Sequence, residues 1–127
     1  MANPNIVAVT KIYGTTTYTT PANTTANVLL SNPASSGKVF KINQIVAANV
    51  NGSSAVNTTV SIDNAAAGAG TDFPIVSTVS VPANASLIVV DKSTAIYLME
   101  NSSIVVTSGT ASGITYSISY EDITDQP

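Results

Sequence analysis

The run Val56-Asn57-Thr58-Thr59-Val60-Ser61-Ile62-Asp63 sets Val56, Thr58, Val60 and Ile62 on one side and Asn57, Thr59, Ser61 and Asp63 on the other. Successive side chains of a strand point to opposite faces, so this alternation reads as a half-buried strand with one wet face. Immediately upstream, Asn43–Val50 is a second extended run, and Asn51-Gly52 lies between the two. Asn-Gly supplies the positive φ angles of a tight two-residue turn, which predicts a β-hairpin with its tip at that dipeptide. The first run extends back to Lys38, where Val39, Lys41, Asn43 and Ile45 alternate with Phe40, Ile42, Gln44 and Val46. Phe40, Ile42 and Val46 are therefore expected to face the core.

The same logic runs outward in both directions. Strands are expected at Ile6–Tyr13, ending at Gly14; at Thr15–Thr20, ending at Pro21; and at Thr25–Ser31, ending at Asn32-Pro33. Downstream of the small-residue loop Asn64–Asp72 come Ile75–Val81, Ser86–Val90, Ala95–Met99, Ile104–Thr107 and Ile114–Tyr120. In the last, Ile114, Tyr116, Ile118 and Tyr120 oppose Thr115, Ser117 and Ser119. Helix has little to build on: the one Ala-rich stretch, Ala65–Ala67, is cut by Gly68 and Gly70, and β-branched residues dominate elsewhere. About nine or ten short strands with regular turn signals predict an all-β chain, an antiparallel β-sandwich of jelly-roll type. Phe40, Ile42, Val60, Ile62, Leu87, Val89, Leu98, Val105 and Ile118 are the expected core. Pro21-Ala22-Asn23 and Pro82-Ala83-Asn84 each separate two such runs, as two equivalent corners of a sandwich would.

Length and composition bound the rest. A chain of 127 residues is one domain by size, with residues 1–5 and 124–127 expected as loose termini. Charged residues make up 9% of the chain, against about 25% in ordinary globular proteins, and the net charge is −3. Ser, Thr and Asn carry the polarity instead. The only cations are Lys11, Lys38, Lys41 and Lys92, too scattered to neutralise a polyanion, so nucleic acid is not an expected partner. Met1–Asn5 carries no basic segment, and no apolar run approaches membrane-spanning length. Neither a signal peptide nor a membrane partner is expected, which places synthesis in a cytosol. The Asn-x-Ser/Thr triplets at Asn23, Asn51, Asn57, Asn84 and Asn101 then follow from composition alone.

Catalytic chemistry finds few candidates. The chain lacks His and Cys, which removes the Ser-His-Asp and Cys-His sites and the ordinary zinc ligands. Lys92-Ser93 is the only adjacent Ser–Lys pair, and neighbours on an extended chain face apart. Asp63, Asp72, Asp91, Glu100, Glu121 and Asp122 fall at strand ends or in loops, without the aromatic platforms of a sugar cleft. Asp63-Asn64 through Thr71-Asp72 offers oxygens to calcium, yet its spacing fits no EF-hand. Gly68-Ala69-Gly70-Thr71-Asp72-Phe73 lacks the third glycine and the helix of a dinucleotide fingerprint. The expectation is no enzyme, with no catalytic, cofactor-binding or metal-ligating residue and no cofactor. Tyr13, Tyr18, Tyr97, Tyr116 and Tyr120 could stack on a glycan, but Tyr116 and Tyr120 read first as core residues of the final strand.

Five segments resemble small structural proteins of tailed bacteriophages, with a cyanophage character: Tyr18–Thr25, Lys41–Gly52, Val81–Lys92, Ile96–Glu100 and Ile114–Ile123. The resemblance covers about residues 15–124. It implies a β-sandwich virion protein that assembles in many copies, and no catalytic residues. The first expectation is a capsid decoration protein, self-associating as a homo-oligomer such as a trimer and bound to the major capsid protein. A neck, tail or fibre-associated protein of the same fold is the alternative, and a carbohydrate-binding attachment module is a third. Ile6-Val7-Ala8-Val9 carries no charge until Lys11, so residues 2–9 are either an arm that runs along a neighbouring subunit or an ordinary first strand.

Overall fold

A computed structural model describes residues 6–124. Nine strands follow one another: β1 (Lys11–Thr19), β2 (Asn27–Asn32), β3 (Lys38–Asn49), β4 (Val56–Asp63), β5 (Asp72–Val81), β6 (Ser86–Val90), β7 (Ile96–Leu98), β8 (Ser102–Ser108) and β9 (Ile114–Thr124). A single 3-10 turn, Lys92–Thr94, joins β6 to β7. One sheet has the order β1-β9-β3-β6, with β7 also paired to β3; the other has the order β2-β8-β4-β5. All pairs are antiparallel. The expected all-β sandwich is the architecture observed. None of the helices is long and apolar enough to cross a membrane among the described residues.

The core lies between the sheets and is filled by the alternation read in β9: Ile114, Tyr116 and Ile118 have no exposed surface. Tyr120 packs against it with its ring 5.1 Å from that of Phe40. Phe40, Ile42, Val60 and Leu98 are buried in this core as expected, while Ile62, Leu87 and Val89 are half-buried and packed on it.

Several expectations need correction. Asn51-Gly52 is not a hairpin tip, because β3 and β4 belong to different sheets and do not pair. β3 ends at Asn49 and β4 begins only at Val56, a gap too long for a two-residue turn. The corner is held instead by buried Asn49, whose Nδ2 donates to Ser54 O (3.0 Å) and Val81 O (2.8 Å) while its Oδ1 accepts from Asn51 N–H. Val46 does not face the core. Ile42 pairs with Tyr120 and Gln44 with Ser119, so Asn43 is an extra, bulged residue. A bulge inverts the phase of everything beyond it, and Ile45 and Ala47 become the buried residues. Val105 is buried on the outer face of its sheet rather than between the sheets, as described below.

The amino-terminal strands also differ. Ile6–Thr10 forms turns and bends, and a single strand then runs through Gly14, which holds its place in the ladder opposite Glu121. At the other end Thr124, expected to be loose, is buried and paired with both Lys11 and Lys38. The central strand β9 has a neighbour on each side, and both persist to that residue. Met1–Asn5, with the outer half of the expected arm, and residues 125–127 lie outside the described residues. The two Pro-Ala-Asn segments do serve one topological purpose, since each carries the chain from one sheet to the other, β1 to β2 and β5 to β6. Their local geometry differs: Asn84 has φ 60°, whereas the Asn23 Oδ1 accepts from Thr25 N–H and from the Asn27 amide.

Candidate functional site

The polar residues singled out from sequence are mostly committed to the fold. Asp91 caps the 3-10 turn, its Oδ1 accepting from Ser93 N–H (2.9 Å) and Ser93 Oγ–H (2.5 Å). These bonds hold its carboxyl below the usual range. Ser93 is therefore tied to Asp91 and forms no dyad with Lys92. Lys38 Nζ lies 3.2 Å from Asp122 Oδ2, and Glu121 Oε2 accepts from Asn43 Nδ2 at the bulge (3.0 Å). Tyr116 donates its hydroxyl to Thr107 O (2.9 Å) and is hydrogen-bonded to Thr58 Oγ1, which stitches β9 to the opposite sheet. Burial pushes this phenol up from its ordinary value. Tyr116 and Tyr120 are thus core residues, and only Tyr13, Tyr18 and Tyr97 remain at the surface. No group of three or more His, Cys, Asp or Glu residues is placed to hold a metal among the described residues.

Among the described residues, Asp63 and Asp72 are acids brought together from different strands, opposite each other on β4 and β5. The loop from Asn64 to Thr71 folds back over the outer face of the second sheet. Ser103 Oγ donates to Ala65 O (2.8 Å) and Ser31 Oγ to Ala66 O (2.6 Å). Gly68, at φ 75°, lies so close that a Cβ there would sit 2.8 Å from Val28 Cγ2 and 3.4 Å from Val105 Cγ2. That approach buries Val105 and, at the loop's base, Asp63, which has no exposed surface. Only the loop's return path over the sheet reveals this, and alternation within β4 carries no sign of it.

Inside the loop, Asp63 Oδ1 accepts from Ala65 N–H (2.8 Å) and Gly70 N–H (3.0 Å). Burial raises the Asp63 carboxyl, but hydrogen bonds from Asp72 and these two amides outweigh it and hold it below the ordinary range. The Asp72 carboxyl is pushed up, by its hydrogen bond to Asp63, by desolvation and by the neighbouring charge. Asp63 Oδ2 is buried with no hydrogen-bond partner, so a protonated Asp72, its cross-strand neighbour, would supply the donor it lacks. The signs differ. The Asp63 contribution is present above its unfolded value and is lost as pH falls through its lowered one. The Asp72 contribution is full below its unfolded value, about 3.9, and is lost as pH rises through its raised one. Asp72→Asn supplies a permanent N–H donor, so its urea midpoint is expected to exceed that of the parent at pH 7. The two midpoints should converge near pH 4, and equal midpoints at both pH values would refute the shared proton.

The surface left for a partner is the outer face of the first sheet. Paired residues share a face, and the ladder aligns Tyr18, Ser117, Val46 and Ile88 in one row across β1, β9, β3 and β6. Tyr18 is 74% and Ile88 60% exposed. A parallel row holds Gly14, Glu121, Lys41 and Tyr97; in a third, Ile12, Ile123 and Val39, only Ile12 is exposed and the other two are buried. Chemically this face offers flat apolar and short polar contact with one acid and one lysine. Sequence reading missed it, because it took Val46 as core and did not foresee which strands lie side by side. No protein-family model matches the chain, and no curated protein matches it in sequence.

Proposed function

We propose that the chain is a structural protein of a tailed-phage virion, a decoration protein that binds the outside of the head by packing flat sheet surface against capsid subunits. The observation that carries this reading is the row Tyr18–Ser117–Val46–Ile88, with Tyr18 and Ile88 exposed and Ser117 and Val46 half-buried, on a sheet face whose remaining positions are mainly Ser, Thr, Gln and Gly. Short side chains lose little entropy on packing, and few charges mean little repulsion between crowded copies. Many weak contacts on a repeating lattice add through multivalency, which suits contact through a sheet face. The phage resemblance of the sequence supports the setting.

Quantitative gel densitometry of virions purified from the encoding phage tests the proposal. Decoration requires hundreds of copies per particle. Tens or fewer would move the protein to the neck, tail or fibre. Its absence from virions would end the proposal, and tight binding of the isolated domain on a glycan array would favour host attachment instead.

A further inference from the structure

The edges of the two sheets are protected unequally. β5 carries Pro74, turns Thr78 to φ 51° and slips register twice against β4. β2 is six residues long and is broken at Leu29. β6 is five residues long, with a break in its pairing opposite Ile45 and Val46. Short length, proline and bulges are the usual devices that stop an edge from recruiting another strand. β1 has none of them. Its nine residues pair one-to-one with β9 from Lys11–Thr124 to Thr19–Tyr116 without interruption, and six consecutive positions from Lys11 are exposed on both faces.

We propose that β1 is a self-association edge, pairing antiparallel with β1 of a second copy so that the first sheets of both copies become one continuous sheet. The sequence Lys11-Ile12-Tyr13-Gly14-Thr15-Thr16-Thr17-Tyr18-Thr19 is self-complementary about Thr15. In that register Ile12 faces the partner's Tyr18, Tyr13 faces the partner's Thr17, and Thr15 faces the partner's Thr15. Aromatic–aliphatic and Thr–Thr pairs are the favourable cross-strand combinations. Charge selects the orientation. Lys11 is the only charge on β1, and antiparallel pairing keeps the two lysines about 27 Å apart at the usual rise per residue, beyond the screening length of about 8 Å. Parallel pairing would set them side by side. The contact is isologous and closes on a two-fold axis. It also sets Tyr18, at the end of the outer apolar row, beside the partner's exposed Ile12. The inference stands on the edge itself and does not depend on the virion reading.

Thr15 is the sole residue of β1 that meets itself in this register, and the chain has no cysteine. Under mild oxidation the full chain carrying Thr15→Cys is expected to form a disulfide-linked dimer, whereas Tyr18→Cys, which faces the partner's Ile12, should not. In sedimentation equilibrium, Thr15→Lys and Thr15→Glu should each change the dimerisation of the native chain in the same direction, towards monomer. An equimolar mixture of the two should restore dimer. Circular dichroism of each exposed-site variant checks that the sandwich is intact. A native chain that stays monomeric at millimolar concentration overturns the proposal, as does a dimer that neither charge disturbs or equal cross-linking at positions 15 and 18. If dimer forms only after residues 1–5 are deleted, the edge belongs to the chain's own amino-terminal segment and the proposal also fails.

Discussion

Tyr116→Ala is expected to lower the stability of the isolated chain by about 3–5 kcal/mol, and Tyr116→Phe by about 1–3 kcal/mol. The larger figure combines lost burial of the largest side chain with no exposed surface and the cavity it leaves between the sheets. The smaller one isolates the hydroxyl. Phe fills the same space but leaves the buried Thr58 hydroxyl without its Tyr116 partner and removes the donor to half-buried Thr107 O. An unmade buried hydrogen bond carries the full desolvation cost of the group left behind, so even this conservative change should register. Urea unfolding of the three proteins measures both differences. If Tyr116→Phe is neutral, the bond between the sheets has no energetic role and Tyr116 acts as packing alone.

The second large effect tests the bulge in β3. Ile45→Ala should cost about 2–5 kcal/mol, while Val46→Ala, on the outer face, should stay within about 0.5–1 kcal/mol. Uninterrupted alternation from Phe40 would demand the reverse order. The structure puts Ile45 wholly out of solvent beside Ile118 and leaves Val46 between Ser117 and Ile88 at the surface. Comparable urea midpoints for the two variants would mean that the extra residue at Asn43 does not hold the phase in solution.

These residues mark where sequence reading succeeds and where it stops. Within one strand, alternation is a local property, so the faces of β9 and the inward set Val56, Thr58 and Val60 of β4 were legible. A bulge adds one residue without changing composition, which is why Val46 was assigned to the wrong face. Pairing is not local at all. Asn51-Gly52 has the chemistry of a tight turn, but whether the flanking strands pair depends on β9 and β8, which occupy those edges from more than forty residues away. Asp63 sits at a polar position of an alternating strand and reads as solvated. Its burial is imposed by a loop whose glycine fits against Val28 and Val105, a relation between three segments distant in sequence. The outer-face row suffered the same limit, since no single strand contains more than one of its members.

The order in which the strands are made bears on how the chain can assemble itself. β9 stands between β1 and β3 in its sheet, yet it is the last of the nine strands to emerge during synthesis. Until then β1 has no ladder partner, β3 lacks one of its flanks, and the interior lacks Ile114, Tyr116 and Ile118. A nascent chain halted before β9 therefore holds every strand of the second sheet but a first sheet split between β1 on one side and β3 with β6 and β7 on the other, with apolar strand surface open to any neighbour. Such non-local closure makes folding slow and late, and truncation near the carboxyl end removes the keystone of the sheet rather than trimming its margin.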